Sequence, residues 1–165
     1  MTPAGLTFAE VLPNMTLTHI GCKGLSVDRE SEGPADSVKL DYNFGFAVQA
    51  DNVLILIRQE LIIFAPEQTP FLSMMAAYAV NYSLPNAEAI LAENDDLQQQ
   101  IIRFGQLAAH PYLRASFNDL SNQVGVPGMS LGLLRMGATN PESLTIGNKL
   151  FSFGESTIVS DEVLQ

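Results

Sequence analysis

VKLDYNFGFAVQADNVLILIRQELIIFAPEQTPFLSMMAAYAVNY, residues 38 to 82, decides the architecture of this chain. Val38, Leu40, Tyr42, Phe44, Phe46 and Val48 alternate with Lys39, Asp41, Asn43, Gly45, Ala47 and Gln49. Such period-2 alternation predicts a strand with one buried and one wetted face. Asp51-Asn52 is a short polar break, and Val53 to Phe64 reads as a second long strand, so the pair suits a hairpin. Ala65 to Pro70 turns the chain again, and Phe71 to Tyr82 reads as a third strand. Long strands joined by short turns make an antiparallel meander. Upstream, Thr16 to Leu25 is expected to add a fourth strand, ended by an acidic loop that starts at Asp28. Residues 1 to 15, with Pro3 and Pro13, read as an irregular lead-in.

Downstream of Pro85 the period becomes helical. Asn86 can cap a short segment, and Asp96 with Gln99 forms a capping-box-like start. Leu97, Ile101, Phe104 and Ala108 make one apolar stripe; Leu113, Phe117, Leu120 and Val124 make a second. The stripes are out of phase across Pro111, which predicts two helical segments meeting at a bend. Gly125 suits the residue after a helix end, and Pro127 blocks continuation. Beyond Leu134 the pattern fades among Gly137, Gly147 and Gly154, and no repeat or linker divides the chain. The expectation is one domain over residues 1 to 165. Its fold class is α+β, a four-stranded antiparallel sheet followed by a long, Pro-bent helical segment.

Composition narrows function by exclusion. The 165 residues carry eight Lys and Arg against eighteen Asp and Glu, a net charge of −10. Nucleic-acid affinity comes mostly from cationic neutralisation of phosphates, and anionic membranes attract basic patches; neither partner suits this chain. A single cysteine, Cys22, excludes an intrachain disulfide and fits a reducing compartment. No Lys or Arg precedes Lys23 to form a signal-peptide start, and no apolar run approaches the roughly 18 residues of a membrane span. A cytoplasmic protein is expected.

Gly128-Met129-Ser130-Leu131-Gly132 matches the nucleophile elbow of serine hydrolases. That elbow needs a strand before the serine, a helix after it and a later histidine. Here a helix precedes Ser130, and both His19 and His110 lie upstream. Small residues in an extended connector explain the match, so no catalytic residue is assigned. His19, Cys22 and His110 follow no short metal-ligand spacing, and Glu93, Asp95 and Asp96 read as an ordinary acidic helix start. The glycines fit no phosphate-binding pattern, so neither metal nor cofactor is expected. What remains is surplus apolar surface. The last strand shows Met75, Ala77 and Ala79 on one face against Met74, Tyr78 and Tyr82 on the other. One sheet with one helical layer cannot easily cover both, which points to an oligomer interface, a site for hydrophobic ligands, or both.

One stretch carries a resemblance. Pro111-Tyr112-Leu113-Arg114 opens a helical pattern, Gly125-Val126-Pro127 closes it, and Met129-Ser130-Leu131 with Leu133-Leu134-Arg135-Met136 follows. This resembles the SecB family of bacterial export chaperones, whose members read Phe-Pro-Tyr-Ala-Arg-Glu, a Gly-Phe-Pro or similar, and then an extended apolar piece. The close part covers residues 110 to 136, and the order of four strands before the helix extends it back to about residue 16. The resemblance implies a homo-oligomer, dimer or tetramer, that holds unfolded or non-native polypeptides without ATP and hands them to the translocase motor SecA. It implies client contacts at Tyr78, Tyr82, Met129, Leu131, Leu133 and Met136, and subunit contacts at Leu97, Ile101 and Phe104. Three elements depart from the family, the first being Leu133-Leu134-Arg135-Met136 in place of its Pro-Val-Asn-Phe. Leu72-Ser73-Met74 stands where members carry Leu-Cys-Glu, the Glu of which contacts SecA, and no second amphipathic helix is legible in residues 137 to 165. A chaperone or interaction module dedicated to one partner, such as an antitoxin or a phage or plasmid protein, is the first alternative, and a small serine hydrolase using Ser130 is the second.

Overall fold

The computed structural model describes residues 5–134 and 141–153. Four long strands form one antiparallel sheet: β1 (Thr16–Arg29), β2 (Ser37–Gln49), β3 (Asn52–Phe64) and β4 (Pro70–Ser83). Its spatial order is β1-β4-β3-β2. The meander of β2, β3 and β4 is therefore extended by β1, which pairs along the far edge of β4. Residues 30–36 carry the chain across the sheet end from β1 to β2, a Greek-key order.

Alternation sets the two faces. Val53, Ile55, Ile57, Leu61 and Ile63 of β3 are fully buried, as are Leu72 and Val80 of β4. This face is covered by α3 (Asp95–Gln123), which packs mainly on β4. Gly105 is the point of closest approach, since a Cβ there would lie 2.5 Å from Ile55 Cδ1. Asn94 caps the helix, its side chain accepting from the Leu97 amide at 3.1 Å, two residues earlier than the Asp96 cap expected from sequence. α3 runs unbroken through Pro111 rather than as two segments. Pro111 is exposed, so the bond its missing N–H forgoes falls on the solvent side of the helix.

Three further elements complete the fold, of which only the short segment after Asn86 was legible. The lead-in contains α1 (Phe8–Val11), whose Phe8 ring meets Phe104 edge-to-face at 5.5 Å. α2 (Ala87–Leu91) buries Ala87 and Leu91, and Asn86 before it adopts a left-handed conformation instead of a side-chain cap. The C-terminal region holds a second sheet in the order β5-β6-β7, made of β5 (Met129–Leu131), β6 (Ser143–Ile146) and β7 (Lys149–Ser152). Its Met129, Leu131, Leu144 and Phe151 join the main core.

The opposite face of the large sheet carries no helix among the described residues. Arg58 pairs with Glu60 there, and Lys39 with Asp41. Beside them Ser26, Asp28, Glu60, Ser73 and Met75 line a shallow hollow.

Candidate functional site

The site is built where α3, β4 and β5 meet. Tyr78 and Tyr82 stand two pleats apart on the covered face of β4, opposite Ile57 and Val53. The Tyr78 hydroxyl lies 2.6 Å from Ser116 Oγ, fixing the strand to the helix through a buried hydrogen bond. Its ring lies 5.8 Å from that of Tyr112, a half-exposed aromatic on α3. Tyr82 packs against Phe104, and burial pushes its phenol pKa up to about 12. Burial likewise raises the Tyr42 phenol, with the Gln106 side chain opposing the shift through a hydrogen bond.

From this floor α3 reaches sideways to β5. His110, Arg114 and Asn118 recur every four residues and so share one edge of the helix. Each meets a main-chain carbonyl. His110 Nε2 is 2.9 Å from Gly132 O, Arg114 Nε donates to Leu131 O at 2.7 Å, and Asn118 Nδ2 donates to Met129 O at 2.8 Å. Because the Gly132 carbonyl only accepts, Nε2 carries a proton. Its Nδ1 is buried without a hydrogen-bond partner among the described residues. Burial holds the imidazole pKa below its ordinary value, the Gly132 bond opposes this, and the Arg114 charge adds to the lowering.

The turn from α3 into β5 is equally determined. Gly125 takes φ +76° after the helix, and Val126 N donates to Ser121 O at 2.8 Å. Arg29 at the end of β1 donates to Val124 O at 2.6 Å. Gly128 also has φ +76°, and a Cβ on it would lie 3.2 Å from Gly147 N, so glycine is required by both conformation and space.

The residues singled out in the sequence fall into three groups. Tyr78, Tyr82, Met129 and Leu131 converge here but are buried in the free chain. Leu133 is 68 % exposed, and Met136 lies outside the described residues. Leu97 and Ile101 are buried within the chain, and Phe104 is half-buried between Phe8 and Tyr82. Ser130 is the exposed centre of β5 opposite Thr145, and the strand continues through Leu131 where an elbow requires a helix. His19 faces the open side of the sheet with Asn81, whereas Cys22 lies opposite Tyr78 on the covered side. No group of three potential metal-ligating side chains occurs among the described residues. Met74, which the resemblance sets where SecB members carry Glu, is buried on the covered face.

The helix side of β1 was missed in the sequence. Leu17, Ile20, Cys22, Leu25 and Val27 pair across from Tyr82, Val80, Tyr78, Ala76 and Met74, so they continue the covered face beyond β4. Leu17 and Leu25 are 46 % and 47 % exposed, because α3 lies over β4 and leaves this strip open. The outer edge of β1 has no strand partner among the described residues. No helix of the described residues is long and apolar enough to cross a membrane.

No protein-family model matches the chain, and no curated protein matches it in sequence. Its structure is similar to that of the SecB-like chaperone Rv1957 of Mycobacterium tuberculosis, solved in complex with a ChAD peptide from the Rv1956 HigA1 antitoxin. The TM-score is 0.62 over 78 % of this chain and 93 % of that one, at 14 % sequence identity. The fold is thus SecB-like, as the stretch from residue 110 to 136 implies.

Proposed function

We propose that this chain is an ATP-independent holding chaperone, which binds non-native polypeptide on an acidic oligomer. The observation that carries the reading is the SecB-like fold combined with an extended apolar segment, Met129–Leu131, laid along α3 beside exposed Leu133 and Tyr112. Client contact falls on Leu133 and the Tyr78–Tyr112 pair, with Tyr82, Met129 and Leu131 behind them. Assembly uses the free edge of β1 and its uncovered strip: pairing two such edges joins two sheets and gives Leu17 and Leu25 a dry partner. Leu97 and Ile101 support that interface from within the chain, and half-buried Phe104 is the one of the three placed nearest the surface. Hand-off to SecA for export has less support, because Met74 offers no carboxylate at the surface.

Mixing the protein with a chemically unfolded, slow-folding client, without nucleotide, tests this reading. Suppressed aggregation near one client per oligomer, with no binding to the folded client, is the expected result. No effect at several-fold excess sinks general holding. It leaves the second reading, a chaperone dedicated to one partner, which the neighbour's antitoxin peptide favours.

A further inference from the structure

The contacts between α3 and β5 resemble those of a receptor with its ligand more than those of a packed core. Four residues along a helix advance about 6 Å. Alternate carbonyls of an extended chain recur about every 6.6 Å. Asn118 and Arg114 match that spacing on Met129 and Leu131, and His110 takes Gly132 just beyond. All three side chains meet the strand through its backbone carbonyls, while Asn118 Oδ1 accepts from Asn122 Nδ2 on the helix itself, so the ladder reads an extended main chain of any sequence, antiparallel to the helix. Side-chain preference comes from the other direction: Met129 and Leu131 are buried in the core while Ser130 between them faces out.

From this, and resting on the polypeptide-holding reading, we propose that the His110–Arg114–Asn118 edge of α3 is a binding site for extended polypeptide. In the free protein it is filled by the chain's own β5, which an incoming segment of the pattern apolar–any–apolar displaces. β5 suits an exchangeable occupant. It is three residues long, lies between Gly128 and Gly132, and rests on β6 through only three residue pairs. Such a short strand opens locally at a small fraction of the global unfolding cost. Because β5 is tethered, it competes at an effective concentration in the millimolar range, so free peptide binds weakly until the tethered strand is weakened.

The probe is a fluorescent peptide, Gly-Met-Ser-Leu-Gly-Leu, copying residues 128–133 and added to the full-length protein. In a variant carrying Met129→Ser and Leu131→Ser, the probe is expected to bind at least about 10-fold tighter than in wild type, since the internal competitor has lost its anchors. Adding Arg114→Ala and Asn118→Ala to that variant removes the gain. Unchanged or weaker binding in the folded Met129→Ser, Leu131→Ser variant overturns the proposal, as does a gain that survives loss of the ladder. Should that variant fail to unfold cooperatively, hydrogen exchange on wild type decides instead. Millimolar probe must then deprotect the amides of residues 129–131 while leaving β3 unchanged, and unaltered protection of β5 rejects exchange. Client holding with β5 still protected would sink the exchange and keep the chaperone; probe exchange without client holding would do the reverse.

Discussion

Gln59 is the residue whose burial is hardest to reconcile with stability. It sits on the central strand β3 between Tyr42 and Ala76, fully buried, and neither amide atom has a hydrogen-bond partner among the described residues. An unpaired buried amide costs about 1–3 kcal/mol, whereas an apolar side chain of similar shape incurs no such penalty. Gln59→Met should therefore raise stability by about 1 kcal/mol or more in urea unfolding, and a loss would show that the amide is bonded in solution. His110 makes the opposite kind of prediction, one in pH. Its folded pKa is depressed by burial, so the unfolded chain binds the proton more readily. Stability from the neutral ring is complete above the unfolded value and is lost as pH falls below it toward the depressed folded value. Urea midpoints should drop between pH 7.5 and 5.5. The drop should shrink in His110→Gln, which can still donate to the Gly132 carbonyl without titrating. Equal slopes in the two proteins would assign the acid loss to carboxylates.

Helix and sheet are locked at Gly105, and the lock is a question of volume. Gly105→Ala gains up to about 1 kcal/mol of helix propensity but drives a methyl into fully buried Ile55, where overpacking costs about 1–3 kcal/mol. A net loss of about 1 kcal/mol is expected in wild type. Ile55→Val removes the clashing Cδ1, so in that background Gly105→Ala should be neutral or stabilising, a coupling near 1 kcal/mol measured by a double-mutant cycle. Additive losses would mean that the helix backs away instead. The same scale shows what the sequence could reveal. β2, β3 and β4 were legible because an uninterrupted alternation maps directly onto two faces. β1 was legible only in part, since bulges between Leu17 and His19 and between Cys22 and Gly24 each shift the phase by one residue. Leu17, Ile20, Leu25 and Val27 share a face despite spacings that no period-2 template accepts. β6 and β7 are four residues each, too short for a pattern to stand out among glycines and polar residues. Pro111 signalled a break that tertiary packing overrides: His110 and Leu113 are both buried against the body of the molecule, which holds the helix through the missing bond.

At the scale of the whole molecule, an apolar stripe declares that a helix is covered but not by what. That is why Leu97 and Ile101, expected at a subunit boundary, lie against this chain's own sheet, while the strip on β1 went unread. The strip and the net charge of −10 pull in opposite directions. An exposed strand edge flanked by Leu17 and Leu25 favours pairing, and like charge on two copies opposes it. Salt screens the second without weakening the first. The proposed oligomer should therefore be heavier in light scattering at 500 mM salt than at about 20 mM at the same dilute protein concentration, the two ionic strengths spanning Debye lengths of about 4 to 20 Å. Leu17→Glu with Leu25→Glu should leave a folded monomer at either salt, because both positions are half-exposed already and tolerate charge within one chain, whereas in a paired edge each carboxylate would be stripped of water opposite its copy. Unchanged mass in that variant would move the subunit boundary away from β1 and onto the uncovered side of the sheet, where Arg58 and Glu60 already neutralise each other.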